Sequence, residues 1–179
     1  MPTFRVFTFL AVLPLAAGPS LAAQGPQATC RSGEFSCTLP APWQVRALPS
    51  MGKAPRLLRR WEFSRPIGGS EARISVELDR TEPLGKYPVR QGRETAARLA
   101  AAFSYEGYGW GDLRVKDAPG FYESWTAQLP GKPRFQVWAA HVFRRGARVR
   151  VGAVGDLGPA ATIAQRDARS LLGSWTWAP

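Results

Sequence analysis

The segment Arg134–Phe143 (RFQVWAAHVF) decides the fold. Read with a period of two, Phe135, Val137 and Ala139 fall on one side, and Trp138, Ala140 and Val142 on the other. A strand that is apolar on both faces must be covered on both, which places it inside a layered sheet rather than in the wall of an open barrel. Turn strings bracket it, Pro130-Gly131-Lys132-Pro133 before and Arg144-Arg145-Gly146 after. Phe121–Leu129 and Ala147–Val154 alternate in the same way on either side, at antiparallel hairpin spacing. Leu113–Lys116 adds a short strand that ends at Asp117-Ala118-Pro119-Gly120.

Toward the N-terminus the alternation continues. Phe35, Cys37 and Leu39 share one parity, as do Trp43, Val45 and Ala47, and then Trp61 and Phe63 within Leu58–Ser64. Ala72, Ile74, Val76 and Leu78 alternate strictly with Arg73, Ser75, Glu77 and Asp79. These four runs predict a meander with one wet face. The period changes between Val89 and Phe103, where Val89, Gly92, Ala96, Leu99, Ala100 and Phe103 form one helical face opposite Arg90, Arg93, Glu94 and Arg98. A second helix opens at Gly158-Pro159 and turns Ala160, Ala164, Ala168, Leu171 and Leu172 inward, with Gly173 expected at the position just past its end. Ser174–Trp177 reads as a terminal strand. The order ββββ-α-ββββ-α-β predicts an α+β fold, a mostly antiparallel sheet with two helices packed on it as an α/β/α sandwich.

The chain of 179 residues is 45% apolar and 21% charged, which are globular values that exclude collagen, coiled coil, multi-span membrane protein and disordered tail. Its first 22 residues read as a signal peptide: Arg5, the apolar stretch Val6–Leu15, then Ser20-Leu21-Ala22 with the cut after Ala22. The stretch is shorter than the roughly 20 residues a spanning helix needs, so the protein is expected to be periplasmic or secreted and not membrane-spanning. Residues 23–33 form a short N-terminal segment entering the disulfide loop, and 34–177 a single domain. In an oxidising compartment Cys30 and Cys37, the only cysteines, read as a structural disulfide. Closing so short a loop is worth roughly 2–3 kcal/mol in the chain-entropy account.

An exported leader, a strand running into LPAPW (Leu39–Trp43), a middle helix, paired long strands and a helix ending in LLGSWTW (Leu171–Trp177) resemble the Mog/PsbP/DcrB-like sandwich family over residues 34–177. The resemblance implies a docking or accessory protein without a shared catalytic motif, and so it transfers no functional residues. The disulfide loop and the arginine-dominated charge depart from the family pattern.

The residues themselves point the same way. His141 is the only histidine, and its parity places it on the Phe135/Val137/Ala139 face as a packed, hydrogen-bonded side chain. No Gly-x-Ser-x-Gly elbow accompanies it. Glu62, Glu77 and Asp79 take outward parities beside arginines, an ion-pair face, while Glu123 lies in a strand. Gly107–Gly111 and Gly152–Gly158 lack phosphate-cradle spacing and read as loops. Tyr105, Tyr108 and Trp110 lie on the glycine-rich linker Tyr105–Gly111, read as a loop and a candidate aromatic binding site. Two cysteines and one histidine are too few for a metal site.

Arginine dominates the charge, with Lys plus Arg at 24 against 13 acidic residues for a net +11. Arg144, Arg145, Arg148 and Arg150 gather at one hairpin, and Arg56, Arg59 and Arg60 form a second group. Guanidinium forks bind carboxylate, phosphate and sulfate at two points. The expected function is therefore an exported, non-catalytic binding or accessory protein of the cell envelope. It docks an acidic partner, protein or anionic polymer, through the Arg144/Arg145/Arg148/Arg150 hairpin, with no cofactor, no catalytic set and no specific nucleic acid. The alternatives are a hydrolase using His141 and a generic extracellular nucleic-acid binder.

Overall fold

The computed structural model describes residues 27–49, 57–80, 105–128 and 133–179, with helical residues 90, 93–94 and 96–98. The leader (1–22), Arg56 and most of the first helical face, including Leu99, Ala100 and Phe103, lie outside the described residues. Seven antiparallel strands form one sheet: β3 (Gln44–Leu48), β4 (Leu57–Ile67), β5 (Ser70–Arg80), β6 (Tyr105–Val115), β7 (Ala118–Ala127), β8 (Phe135–Arg144) and β9 (Ala147–Asp156). Their spatial order is β3-β4-β5-β9-β8-β7-β6. Two meanders, β3 to β5 and β6 to β9, thus join through the antiparallel β5–β9 pair. The pairing registers put every second residue on one face, so the alternation read from the sequence becomes two distinct surfaces.

One surface is the main core. Trp61, Phe63, Ile74, Val76, Leu78, Val149, Val151, Ala140 and Val142 are buried together there. Helix α2 (Pro159–Gly173) lies on this face, packed on β9, β5 and β8. It turns Ala160, Ala164, Ala168, Leu171 and Leu172 inward, as the pattern predicts. The approach at its start is close: a Cβ on Gly155 would stand 2.9 Å from the Ala161 backbone. The opposite face carries helix α1, whose described residues are 90, 93–94 and 96–98. Ala96 of α1 packs with Phe121 and Phe143. From Val137 to Phe143 every residue of β8 is buried, as a strand covered on both sides must be. The molecule is an α+β sandwich.

The structure corrects four local expectations. Phe35–Leu39 (β2) does not join the meander; it pairs with β1 (Ala28–Arg31) and β10 (Thr176–Trp177) in a separate three-stranded sheet. Pro40 and Pro42 supply no N–H, so strand pairing stops there and the chain leaves for the large sheet. Five strands, not four, therefore precede the first helix. Tyr105–Gly111 is not a loop but the first part of the edge strand β6, bulged between Glu106 and Gly109, and Gly152–Asp156 belongs to β9. Gly173 is the last residue of α2 rather than the residue past it. Ser174 caps the helix, its N–H meeting the Ser170 and Leu171 carbonyls.

A disulfide staples the small sheet, and a ring stack and a buried hydrogen bond fix it and α2 in place. Cys30 and Cys37 stand directly opposite across β1–β2, with Cα atoms 5.5 Å apart, and are disulfide-bonded. Phe35 stacks on Trp175 at 4.3 Å between ring centres. Trp43, at the end of LPAPW, donates its buried indole N–H to Asp167 of α2 at 2.8 Å. Arg65 also approaches that carboxylate, at 3.6 Å. Among the described residues no helix is long and apolar enough to cross a membrane.

Asp167→Ala leaves the Trp43 N–H buried without an acceptor and is expected to cost about 1–3 kcal/mol, a fall in Tm of about 3–10 °C. Trp43→Phe should cost less, because Asp167 keeps Arg65 and its neighbour Arg166, 2.7 Å away; thermal melts of both variants check the order. Reducing the disulfide should lower stability by about 2–3 kcal/mol, measured by denaturant unfolding with and without reductant.

Candidate functional site

The face toward α1 carries a ladder of opposite charges. Across the sheet, Arg46 bonds Glu62 (Nε to Oε1, 3.1 Å), Arg60 and Arg150 both approach Glu77 (3.3 Å each), and Arg148 holds Asp79 (Nε to Oδ2, 3.1 Å). The cross-strand register produces these pairs, since Glu77 faces Arg60 on one side and Arg150 on the other. Pairs of this kind contribute roughly 0.2–1 kcal/mol each, so the ladder favours strand register more than affinity for anything outside.

The ladder redefines the arginine hairpin. Arg148 and Arg150 sit on the sheet face, half-buried, with carboxylates already facing them. Arg144 and Arg145 lie at the β8–β9 turn, where positive φ at Arg145 (49°) and Gly146 (74°) suits a tight two-residue hairpin. Arg144 is 3.8 Å from Asp117 and its guanidinium lies over Trp177 at 5.2 Å. Arg145 donates to the Pro179 backbone oxygen at 3.1 Å. A cavity of about 230 Å³ at this end has Arg80, Arg144, Arg145, Glu34 and Pro179 in its lining, beside Trp177 and the apolar Leu58, Leu78 and Val149. The four arginines thus split into two pairs, and Arg80, distant from them in sequence, joins the pair at the turn. The signal for Arg80 is register: it stands opposite Ala147, at the same end of the sheet.

His141 lies further along this face and is 5% exposed. Its Nε2 is 3.0 Å from Glu123 Oε1, and Tyr108 donates to Glu123 Oε2 at 3.4 Å. A carboxylate only accepts, so Nε2 carries the proton in the neutral ring. Phe121 stacks on the imidazole at 4.5 Å and 7°. Burial holds the His141 pKa below its ordinary value. The hydrogen bond to Glu123 opposes that shift, and the charges of Arg150 and Arg148 add to it. The packed, hydrogen-bonded histidine expected from strand parity is present. The Glu123 contact comes from the β7–β8 register, which pairs Phe121 with His141 and sets Glu123 one diagonal step away.

This arrangement has two of the parts of an acyl-transfer site, an imidazole and an orienting carboxylate. Among the described residues no hydroxyl or thiol meets the other ring nitrogen, Nδ1, which is buried without a hydrogen-bond partner. His141 does not line the cavity at the β8–β9 turn.

The aromatic residues of the edge strand separate. Tyr108 is drawn to Glu123, whereas Trp110 remains 51% exposed with the Arg93 guanidinium 4.1 Å from its ring centre. The Tyr105 side chain lies outside the described residues.

No protein-family model and no curated protein matches the sequence. Solved structures do match. The chain superposes on cyanobacterial PsbP (CyanoP) of Synechocystis sp. PCC 6803 over 92% of its own length and 99% of that chain, with TM-score 0.58 and 11% identity. The fold is PsbP-like. LpqN, a protein involved in cell envelope biogenesis of Mycobacterium tuberculosis, shares this PsbP-like fold with TM-score 0.53 and 16% identity over 88% of each chain.

Because the folded protein holds His141 neutral below its ordinary pKa near 6.5, the unfolded chain takes up a proton there first. The stability associated with the neutral ring is present above about pH 6.5 and is lost as pH falls toward and through the folded value. Denaturant unfolding at stepped pH should show this loss in the parent and a flatter profile in His141→Gln, whose amide can still donate to Glu123.

Proposed function

We propose that the chain is an exported, non-catalytic accessory protein of the cell envelope, whose basic β8–β9 end docks an acidic partner, a protein or an anionic polymer. In this reading the leader is removed after Ala22 and residues 34–177 act as one domain. The observation that carries the reading is the placement of Arg80, Arg144 and Arg145 around one cavity, whose lining also includes Glu34 and Pro179. Three guanidinium groups facing one recess attract carboxylate, phosphate or sulfate groups at two points each. The disulfide supports export, because such bonds persist in oxidising compartments. The likeness to LpqN supports the envelope setting.

Arg148 and Arg150 have a different part in this reading. They neutralise Asp79 and Glu77 on the sheet face, and the docking charge is that of the turn. A hydrolase reading would draw on the His141–Glu123 bond, but it needs a nucleophile and an approach to the imidazole. Among the described residues no hydroxyl or thiol meets the imidazole Nδ1.

The variant Arg80→Ser/Arg144→Ser/Arg145→Ser should lose most of its retention on immobilised envelope extract at low salt, where the parent is held and elutes as ionic strength rises. Arg148→Ser/Arg150→Ser should be retained like the parent but unfold at lower denaturant. Equal retention of the first variant would rule out the turn as the docking site.

A further inference from the structure

A second cavity, separate from the basic turn, lies on the main-core side of the sheet. It measures about 540 Å³ and is bounded by Leu113, Val115, Tyr122, Trp138 and Leu172, with Arg114, Lys116, Arg169 and Gly173 completing it. Its origin is a mismatch of widths. Helix α2 packs on β9, β5 and β8, while the sheet continues past it through β7 to the edge strand β6. The core-side residues of that overhang, Leu113 and Val115 of β6 and Tyr122 of β7, therefore form a shelf beside the C-terminal half of the helix. Trp138 and Leu172 make the inner wall and are both buried.

The chemistry of the lining is one-sided. Its bulky walls are aliphatic and aromatic, and its charged members, Arg114, Lys116 and Arg169, are all cationic and all exposed. Arg169 reaches over the Trp138 ring at 5.7 Å, so one cation stands directly above the apolar wall. Trp138 also has a buried indole N–H without an acceptor among the described residues. The nearby C-terminal end of α2 carries the negative pole of the helix dipole, which disfavours an anion only weakly at an exposed site. Its last carbonyls are also capped by the Ser174 and Trp175 N–H groups. The volume is in the range of sites that enclose small organic ligands, roughly 300–1,000 Å³.

We infer that this cavity binds a small amphiphilic carboxylate, with its acyl or aryl body against Trp138, Tyr122, Leu113 and Leu172 and its head between Arg169 and Lys116. The site does not depend on the docking reading: it uses none of Arg80, Arg144 and Arg145, and the ligand enters on the α2 side. Both the body and the head are required. A short anion lacks the apolar contact, and a neutral amphiphile leaves the cations unmatched.

The test is isothermal titration of the full-length protein with decanoate, below its micelle concentration, and with 2-naphthoate. Acetate and the neutral detergent decyl maltoside serve as comparisons. Saturable one-to-one binding is expected for decanoate or 2-naphthoate, the tighter of the two identifying the body the cavity prefers, with acetate and decyl maltoside bound at least tenfold more weakly. Lys116→Glu/Arg169→Glu changes only exposed side chains and should weaken that binding tenfold or more while the thermal melt stays near the parent's. Leu172→Trp, which narrows the cavity without touching its charges, should weaken it as well. Absence of saturable binding by both carboxylates, undiminished affinity in the charge-reversed variant, or equal binding of decyl maltoside would overturn the assignment.

Discussion

The burial of β8 on both faces is the constraint from which the rest of this structure follows. A strand of consecutive buried residues from Val137 to Phe143 cannot lie at an edge or face water on either side, so it needs hydrogen-bonded neighbours and a covering layer above and below. β7 and β9 provide the neighbours. Helix α2 covers the Trp138/Ala140/Val142 side, and α1 packs against Phe121 and Phe143 on the other. Both candidate sites are consequences of this arrangement. The basic turn is where β8 leaves the sandwich, and the amphiphilic cavity is where α2 stops short of the sheet's edge.

The large sheet also resolves an apparent excess of positive charge. Several arginines that look like a surface patch in sequence are internal counter-charges. Arg60 and Arg150 share Glu77, and Arg148 is committed to Asp79, in a face only partly open to solvent. Removing a carboxylate would leave its arginines half-buried and unmatched, which is why these pairs matter more to register than to recognition. Arg144, Arg145, Lys116 and Arg169 lie outside this ladder, at the turns and on the helix.

His141 shows how a reactive residue type can serve as packing. Stacked on Phe121 and hydrogen-bonded to Glu123, the imidazole fills the α1 side of β8 and gives one oxygen of a buried carboxylate its partner. Tyr108 extends the same network from the edge strand. The three residues hold β6, β7 and β8 together in a region where Gly107, Gly109 and Gly111 leave β6 with little side-chain packing of its own.

What the sequence by itself determined was periodicity. The alternation in Ala72–Asp79 and in Arg134–Phe143, the inward row Ala160–Leu172 and the cysteine pair specify strands, a helix and a staple through local stereochemistry, and the structure contains each of them. Partners across strands are a different matter, because they depend on register between segments far apart in the chain. The spacing of Glu123 and His141, or of Glu77 and Arg150, holds no record of their meeting. Arg80 acquires its place beside Arg144 and Arg145 only when β5 aligns with β9, and Lys116 and Arg169 come together only when α2 docks on a sheet wider than itself. Pro40 and Pro42 marked a break, but that β2 would pair with the end of the chain was decided by the stacking of Phe35 on Trp175, a contact between residues 140 positions apart. Local preferences select the elements; burial and hydrogen bonding among distant segments select which side chains share a site.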